Sequence, residues 1–114
     1  MPFVAYDPSL DLMRALRAPL ASVRARNVDL YKQLDRAADS VHQNLCEAGG
    51  RWGDDRTRIF RYAYGSLREV RGSLELAVIK GFLDGREPAH ALANRLGGML
   101  FRLAKLCRSR IRIR

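Results

Sequence analysis

Residues 33–77 read QLDRAADSVHQNLCEAGGRWGDDRTRIFRYAYGSLREVRGSLELA, and this stretch decides the fold. Apolar side chains recur every three or four residues on both sides of a glycine-rich turn near residue 50. The first set is Tyr31, Leu34, Ala38, Val41, Leu45 and Ala48, and the second is Phe60, Ala63, Leu67, Val70, Leu74 and Ala77. A repeat of about 3.5 residues forms the apolar seam of packed helices. The stretch therefore predicts two long helices joined by a short turn.

A further helix is predicted ahead of this pair, and it contains a proline. It begins after residues 7–9, with Asp7 or Ser9 as its N-cap, and continues through apolar residues to Val23. Pro19 removes one backbone donor and clashes with the preceding turn. We therefore expect this helix to be kinked or broken near Ala18.

The other helix ends are marked by residues that favour caps. Asn27 can cap the second helix, and the glycines at 49–50 can end it in left-handed conformations. The aspartates at 54–55 favour the start of the third helix, by capping and by placing negative charge at the positive end of its dipole. We expect this helix to stop at residues 84–85 and the fourth to open at residues 87–88. The apolar stripe of the fourth is Leu92, Leu96, Met99, Leu103 and Leu106.

Length and composition limit the architecture. A chain of 114 residues, 47% of them hydrophobic, fits one domain with one core. The four helical patterns predict an all-α, antiparallel up-and-down four-helix bundle over residues 1–107, followed by a basic tail over residues 108–114. The sequence lacks an apolar run of about 18 residues and a secretory signal. Cys46 and Cys107 show no metal-ligand spacing, so we expect buried thiols in a cytoplasmic protein without membrane insertion.

A polar motif interrupts the apolar pattern before the turn. Ser40, Asn44 and Glu47 are spaced by four and three residues and therefore share one face of the second helix. Glu47 lies at the negative end of the helix dipole, where Arg51 is the nearest cation. We expect an ion pair that helps to fix the turn, and we favour this structural role over ligand binding.

Two glycine–serine pairs recur seven residues apart in the third helix, at residues 65–66 and 72–73. Each glycine costs about 1 kcal/mol of helix stability relative to alanine. A compensating contact is therefore expected. Close approach of a neighbouring helix in the same bundle is the favoured explanation, and a subunit interface is the alternative.

The motif residues resemble a family signature. SVHQNLCEAGGR at residues 40–51 and FRYAYGSLRE at residues 60–69 resemble the bacterial four-helix bundle family first described as proteins encoded in intervening sequences of large-subunit ribosomal RNA genes. The shared positions are Ser40, Asn44, Glu47, Gly49, Arg51, Phe60, Ala63, Gly65, Ser66 and Glu69, whereas Cys46 and Ala48 depart from the signature. The resemblance implies a ring-shaped homo-oligomer, often a pentamer. It extends to the accessory variability determinant of diversity-generating retroelements, a basic bundle that partners a reverse transcriptase and its template RNA.

Charge gives the clearest functional signal. The chain has 21 Lys and Arg residues against 12 Asp and Glu, a net charge of +9, and only three of the cations are lysines. Such an excess of positive charge, mostly from arginine, is typical of a protein whose partner carries phosphates. The candidate nucleic-acid-binding residues lie around the turn and in the C-terminal segment: Arg51, Arg56, Arg58, Arg61, Arg68, Arg108, Arg110, Arg112 and Arg114. We predict nucleic-acid binding, with RNA favoured over DNA. The alternative is a protein-interaction scaffold whose basic tail docks an acidic protein or a membrane surface.

Catalytic patterns are missing from the sequence. Asp35 and Asp39 are spaced to hold a metal, but the flanking Lys32 and Arg36 favour a solvated charged face. The sequence contains no Walker loop, dinucleotide fingerprint or nucleophile elbow. We therefore predict a non-enzymatic protein without a cofactor or metal.

Overall fold

Helices account for all the regular secondary structure in the part of the chain that the structure describes. A computed structural model describes residues 5–113, and it describes side chains through Lys105. The helices are α1 (Tyr6–Ala15), α2 (Arg17–Arg26), α3 (Val28–Gly49), α4 (Gly53–Ile79) and α5 (Pro88–Ile113). The predicted all-α class is confirmed. Because the side chains after Lys105 lie outside the described ones, the separation of residues 108–114 as a basic tail stays a prediction.

The predicted first helix consists of two helices, α1 and α2, which meet at Leu16. Pro19 is the third residue of α2, where a helix has no internal partner for a backbone N–H. Backbone bonding nevertheless continues across the break, since Leu16 N–H donates to the Leu12 carbonyl at 2.9 Å and Leu20 N–H donates to the Leu16 carbonyl at 2.8 Å. The predicted interruption is confirmed. It lies at Leu16, which is the N-cap of the helix whose first turn contains Pro19.

Two predicted N-caps have different outcomes. Asn27 caps α3 as expected, with its Oδ1 accepting a hydrogen bond of 2.9 Å from the Leu30 N–H. The predicted capping role of Asp7 or Ser9 is wrong, because both residues lie inside α1. The N-cap is Ala5, and its side chain makes no capping hydrogen bond. The Ser9 hydroxyl instead donates to the carbonyl of Tyr6 at 2.6 Å.

The α3–α4 turn has its left-handed residue at an unexpected place. Gly49 is the last residue of α3 and Gly50 has φ of −99°, so the predicted left-handed conformations at 49–50 are wrong. The left-handed residue is Gly53, with φ of 65°, at the start of α4. Trp52 is the N-cap of α4, and its side chain makes no capping hydrogen bond. The aspartates at 54–55 lie in the first turn of the helix. Their predicted capping role is therefore wrong, while their placement at the positive end of the dipole is confirmed.

The C-terminus of α4 comes earlier than predicted, because a glycine ends the helix before residues 84–85. Phe82 N–H donates to the Ala77 carbonyl at 2.8 Å, and Gly81 N–H donates to the Val78 carbonyl at 3.0 Å. These two bonds form a Schellman motif, in which Gly81 adopts φ of 80°. The predicted opening of the last helix is confirmed, since Pro88 is the first residue of α5.

All five helices contribute to one core. α3 packs against α4, α4 against α5, α1 against α5 and α3, and α2 against α3. The predicted seams of α3 and α4 are buried throughout, with Tyr31 partly buried. In α5, Leu96 is buried and Leu92, Met99 and Leu103 are partly buried, whereas the side chain of Leu106 lies beyond the described ones.

Close approach of two helices occurs at a glycine that the sequence did not single out. A Cβ atom built on Gly97 of α5 would lie 3.0 Å from Arg71 Nη1 and 3.6 Å from Leu67 Cδ2 of α4. Gly97 therefore lets α5 approach α4 closely. Within the described residues, no helix is both long enough and apolar enough to cross a membrane.

Candidate functional site

A polar cluster ties α3 to α4 at the motif positions. The hydroxyls of Ser40 and Ser66 lie 2.7 Å apart, and Asn44 Nδ2 donates to the Ser40 carbonyl at 2.8 Å and to the Ser40 Oγ at 3.2 Å. All three side chains are partly buried between the helices. Because each partly buried polar group has a partner here, the cluster can fix the register of the two helices.

A row of opposite charges follows the α3–α4 turn. Arg51 donates to the carboxylates of Glu47 and Asp55, with 2.7 Å between Arg51 Nη1 and Asp55 Oδ2, and Arg58 also donates to Asp55. The hydrogen bond from Arg51 holds the pKa of Asp55 below its ordinary value, and the bonds to Asp55 and Glu47 raise the pKa of Arg51. These side chains are 40–54% exposed, so each pair stabilises the turn only modestly. The expected pair between Glu47 and Arg51 is present.

These ion pairs reduce the capacity of the turn to bind a phosphate. Residues 47–58 carry three acidic and three basic side chains, so the turn has no net positive charge. A phosphate that binds Arg51 or Arg58 must compete with a carboxylate already bonded to it. The sequence signal for this neutralisation is the equal number of acidic and basic residues between positions 47 and 58.

The remaining candidate arginines have other surroundings. The guanidinium carbon of Arg56 lies 5.5 Å from the centre of the Phe60 ring. Arg61 and Arg68 are exposed on α4, seven residues apart, and neither takes part in an ion pair among the described side chains. The predicted arginines at positions 108, 110, 112 and 114 lie outside the described side chains.

Two aromatic side chains are exposed, one in the α3–α4 turn and one on α4. Trp52 is 81% exposed and Tyr62 is 56% exposed. Tyr64 instead packs against Phe101, with ring centroids 5.8 Å apart. Exposed aromatic rings beside arginines can stack on unpaired bases.

The outer face of α4 carries a stripe of small and apolar residues that is exposed in the described part of the chain. The outer stripe consists of Tyr62, Gly65, Gly72, Leu76 and Ile79. Leu76 is 40% exposed and Ile79 is 80% exposed, and a Cβ atom on Gly65 or Gly72 would meet nothing within 4 Å. The favoured explanation of these glycines, close approach of a helix in the same chain, is therefore wrong. The glycines lie on the opposite side of α4 from its buried seam. Glu69, another motif residue, is exposed on the same side.

A further basic surface lies on α2, outside the turn and the C-terminal segment in which the sequence placed the candidate arginines. Arg17, Arg24 and Arg26 are exposed, and α2 contains no acidic residue. The guanidinium carbon of Arg24 lies 5.3 Å from the centre of the Tyr31 ring, and that of Arg26 lies 5.3 Å from the centre of the Phe82 ring. The sequence did carry a signal for this surface, since residues 17–26 contain three arginines and no carboxylate.

A carboxylate organises the loop before α5. Glu87 accepts hydrogen bonds from the backbone N–H groups of Asp84 at 2.9 Å and Gly85 at 3.0 Å, and its Oε1 lies 2.7 Å from His90 Nε2. Burial acts to raise the pKa of Glu87, but the hydrogen bonds from Asp84, His90 and the local backbone outweigh it and lower the pKa to about 2. This arrangement holds the loop against the start of α5.

One cysteine differs from its predicted environment. Cys46 is exposed, so the predicted burial is wrong for this thiol, whereas the side chain of Cys107 is outside the described part. Cys46 Sγ lies 3.4 Å from His42 Nε2, one helical turn away on α3. Across the described residues, no group of three or more His, Cys, Asp or Glu side chains is placed to hold a metal ion.

Fold and surface together define a small, strongly basic, all-α protein with one core. The family model described as 23S rRNA-intervening sequence protein matches residues 6–102, and the chain belongs to this family. The match includes α1 to α4 entirely and the first part of α5. The resemblance of the two motif segments to this family is therefore confirmed. No curated protein and no solved structure gave a significant match.

Proposed function

We propose that this protein is a non-enzymatic, RNA-binding member of the 23S rRNA-intervening sequence protein family, built as a homo-oligomeric four-helix bundle in which α1 and α2 together form the first helix. The observation that carries the proposal is the net charge of +9, which comes mainly from arginine. Arginine binds phosphate oxygens through a planar pair of donors and also stacks on exposed bases. Binding through phosphates would depend on RNA shape more than on base sequence.

Two exposed arginines and the C-terminal segment would make these contacts. Arg61 and Arg68 are about 10 Å apart along α4, at 1.5 Å per residue, and make no ion pair among the described side chains. Residues 108–114 add four arginines and no acidic residue. The turn arginines Arg51 and Arg58 would contribute less, because carboxylates already bind them.

The outer stripe supports the proposed self-association. Leu76 and Ile79 place exposed apolar side chains at one end of the stripe, and Gly65 and Gly72 leave a flat surface in the middle. A helix of a second copy can approach closely over glycines, which would compensate for their cost to the helix. A ring of five copies is the assembly that the family resemblance implies. Sedimentation velocity of the whole chain tests it directly, since a monomer mass at all concentrations would refute self-association.

The cellular setting is proposed on the family alone. One setting is that of an intervening-sequence protein, and the other is that of an accessory protein to a reverse transcriptase and its template RNA. A gene inside a ribosomal RNA gene would support the first setting, and a gene beside a reverse transcriptase would support the second. Either RNA partner implies the cytoplasm.

The direct test is equilibrium binding of a folded RNA hairpin and a DNA duplex of equal length across a salt series. The whole chain is compared with R108Q/R110Q/R112Q/R114Q and with the control R14Q/R51Q/R58Q/R86Q, which removes the same charge from arginines that form ion pairs. We expect affinity to fall steeply with salt and the C-terminal variant to flatten the slope more than the control. Because the protein is proposed to be non-enzymatic, the RNA should be recovered intact after incubation with the protein and magnesium.

Two results would contradict the proposal. Failure of the whole chain to bind either nucleic acid below about 100 μM at physiological salt, weaker than ordinary non-specific binding, would refute it. Specific capture of an acidic protein or of anionic vesicles without RNA binding would instead support the scaffold alternative.

A further inference from the structure

The exposed surface of α2 has a charge pattern unlike that of the other helices. Arg17, Arg24 and Arg26 are all exposed on it, and residues 17–26 contain no carboxylate. The nearest acidic residue before α2 is Asp11, which is bonded to Arg14 at 3.2 Å. Positive charge on α2 is therefore not neutralised within the helix, in contrast to the α3–α4 turn.

Contacts within the chain hold two of these arginines in place without occupying their donors. Arg24 lies over the ring of Tyr31 and Arg26 over the ring of Phe82. A cation–π contact uses the face of the ring and leaves the five N–H donors of each guanidinium available. No ion pair involves Arg17, Arg24 or Arg26 among the described side chains. These arginines are positioned before any partner binds, which lowers the entropic cost of binding.

The surface between the arginines is low and open. Arg17 and Arg24 line a groove with Leu20, Ala21, Ala25 and Tyr31. Arg17 and Arg24 are about 10 Å apart along the helix, at 1.5 Å per residue. Because only the uncharged Leu20 and Ala21 lie between the two arginines in this groove, an extended phosphate chain can lie along the helix and contact both.

We infer that the α2 surface, formed by Arg17, Arg24 and Tyr31, is a contact surface for the phosphodiester backbone of RNA. Arg26 lies about 180° around the helix from Arg17, at 100° per residue, and is not part of this surface. The inference rests on the proposed RNA binding and adds a site that the charge runs around the turn and the C-terminus did not include. Arginine forks with available donors suit phosphate oxygens, and Arg24 can also present its planar group to an unpaired base. An acidic protein would offer separate carboxylates rather than a regular chain of charges, so RNA is the favoured partner.

The test compares the whole chain with two double variants of equal net charge. R17Q/R24Q removes the two arginines of the α2 surface, and R14Q/R86Q removes two arginines that are ion-paired in the fold. Binding of a fluorescent RNA hairpin is measured from about 50 to 200 mM salt, a range over which affinity that depends on phosphate contacts falls strongly. Helix content and thermal midpoint are recorded for each variant. A third variant, R17K/R24K, keeps the charge on this surface and replaces the planar guanidinium groups.

The inference predicts that R17Q/R24Q lowers the magnitude of the salt slope, the dependence of log affinity on log salt concentration, by roughly 1.4 to 1.8, as expected for two lost phosphate contacts, and that the ion-paired control lowers it by less than about one. The lysine variant should keep most of the slope and bind more weakly. Equal losses in the two glutamine variants would mean that only net charge matters, which would overturn the inference. A salt slope in R17Q/R24Q equal to that of the whole chain would also overturn the inference, while RNA binding itself would stand. Absence of RNA binding by the whole chain would remove the proposed function as well.

Discussion

Replacing Gly65 and Gly72 with alanine should stabilise each chain and, if copies pack over the outer stripe, should weaken the proposed assembly. Each glycine in a helix interior costs about 1 kcal/mol relative to alanine. A Cβ atom at either position meets nothing within 4 Å, so no packing penalty reduces the gain. The two positions lie about 10 Å apart along α4, and their effects should therefore add. The double variant should gain about 2 kcal/mol, or about 8 °C in thermal midpoint for a domain of this size.

The assay is thermal unfolding by circular dichroism under dilute conditions where the chain is monomeric, with sedimentation velocity at higher concentration. Gly97→Ala is the matched control, because its Cβ would lie 3.0 Å from Arg71 Nη1 and must displace that side chain. We expect a smaller gain for this control. If copies pack over the outer stripe, the added methyl groups of the double variant should lower the assembled mass.

The result that would refute the reasoning is an unchanged or lowered monomer midpoint for the double variant. Such a result would mean that the glycines make contacts inside the chain. A raised midpoint with an unchanged sedimentation mass would agree with glycines that are open in the monomer. It would also mean that any subunit interface lies on another face.

Three further changes test other parts of the molecule. Leu45→Ala should cost about 2–5 kcal/mol in a denaturant titration because this side chain is fully buried, and an unchanged midpoint would contradict its core position. Ser66→Ala should cost about 1 kcal/mol, and a double-mutant cycle with Ser40→Ala should show coupling, whereas strict additivity would argue against the hydroxyl contact. The folded pKa of Glu87 lies below its unfolded value, so its contribution to stability is present above about pH 4.5 and is lost as pH falls toward about 2. Glu87→Gln should lack this component in acid titrations, and equal acid sensitivity of the two proteins would count against the loop geometry.

Much of the helical framework could be predicted because the sequence carries its own periodicity. The seams around Val41 and Val70, the cap at Asn27 and the proline at the start of α5 were all readable from local patterns. The end of α4 was not readable, because Phe82 and Leu83 continue the apolar pattern past Gly81, where the chain actually turns.

The candidate site was harder to predict because charge counts do not show which charges are paired. Arg51 and Arg24 look alike in the sequence, yet Arg51 bonds two carboxylates and Arg24 lies over a tyrosine ring. The direction of the glycines was in fact available, since Gly65 lies about 200° around the helix from the buried Ala63, at 100° per residue. Because this side of α4 faces away from the core, a Cβ atom on either glycine would meet nothing within 4 Å in the described part of the chain.

The connection between α3 and α4 is only three residues long, whereas the contact of α1 with α5 joins segments more than seventy residues apart. Closing a short loop costs little chain entropy, so the α3–α4 hairpin can form before distant segments meet. We therefore expect the order of folding to run outward from the stretch around residue 50. Substitutions in the Val41–Val70 seam should slow folding, and substitutions at Leu12 should mainly speed unfolding. Stopped-flow kinetics would show the opposite pattern if α1 and α5 meet first.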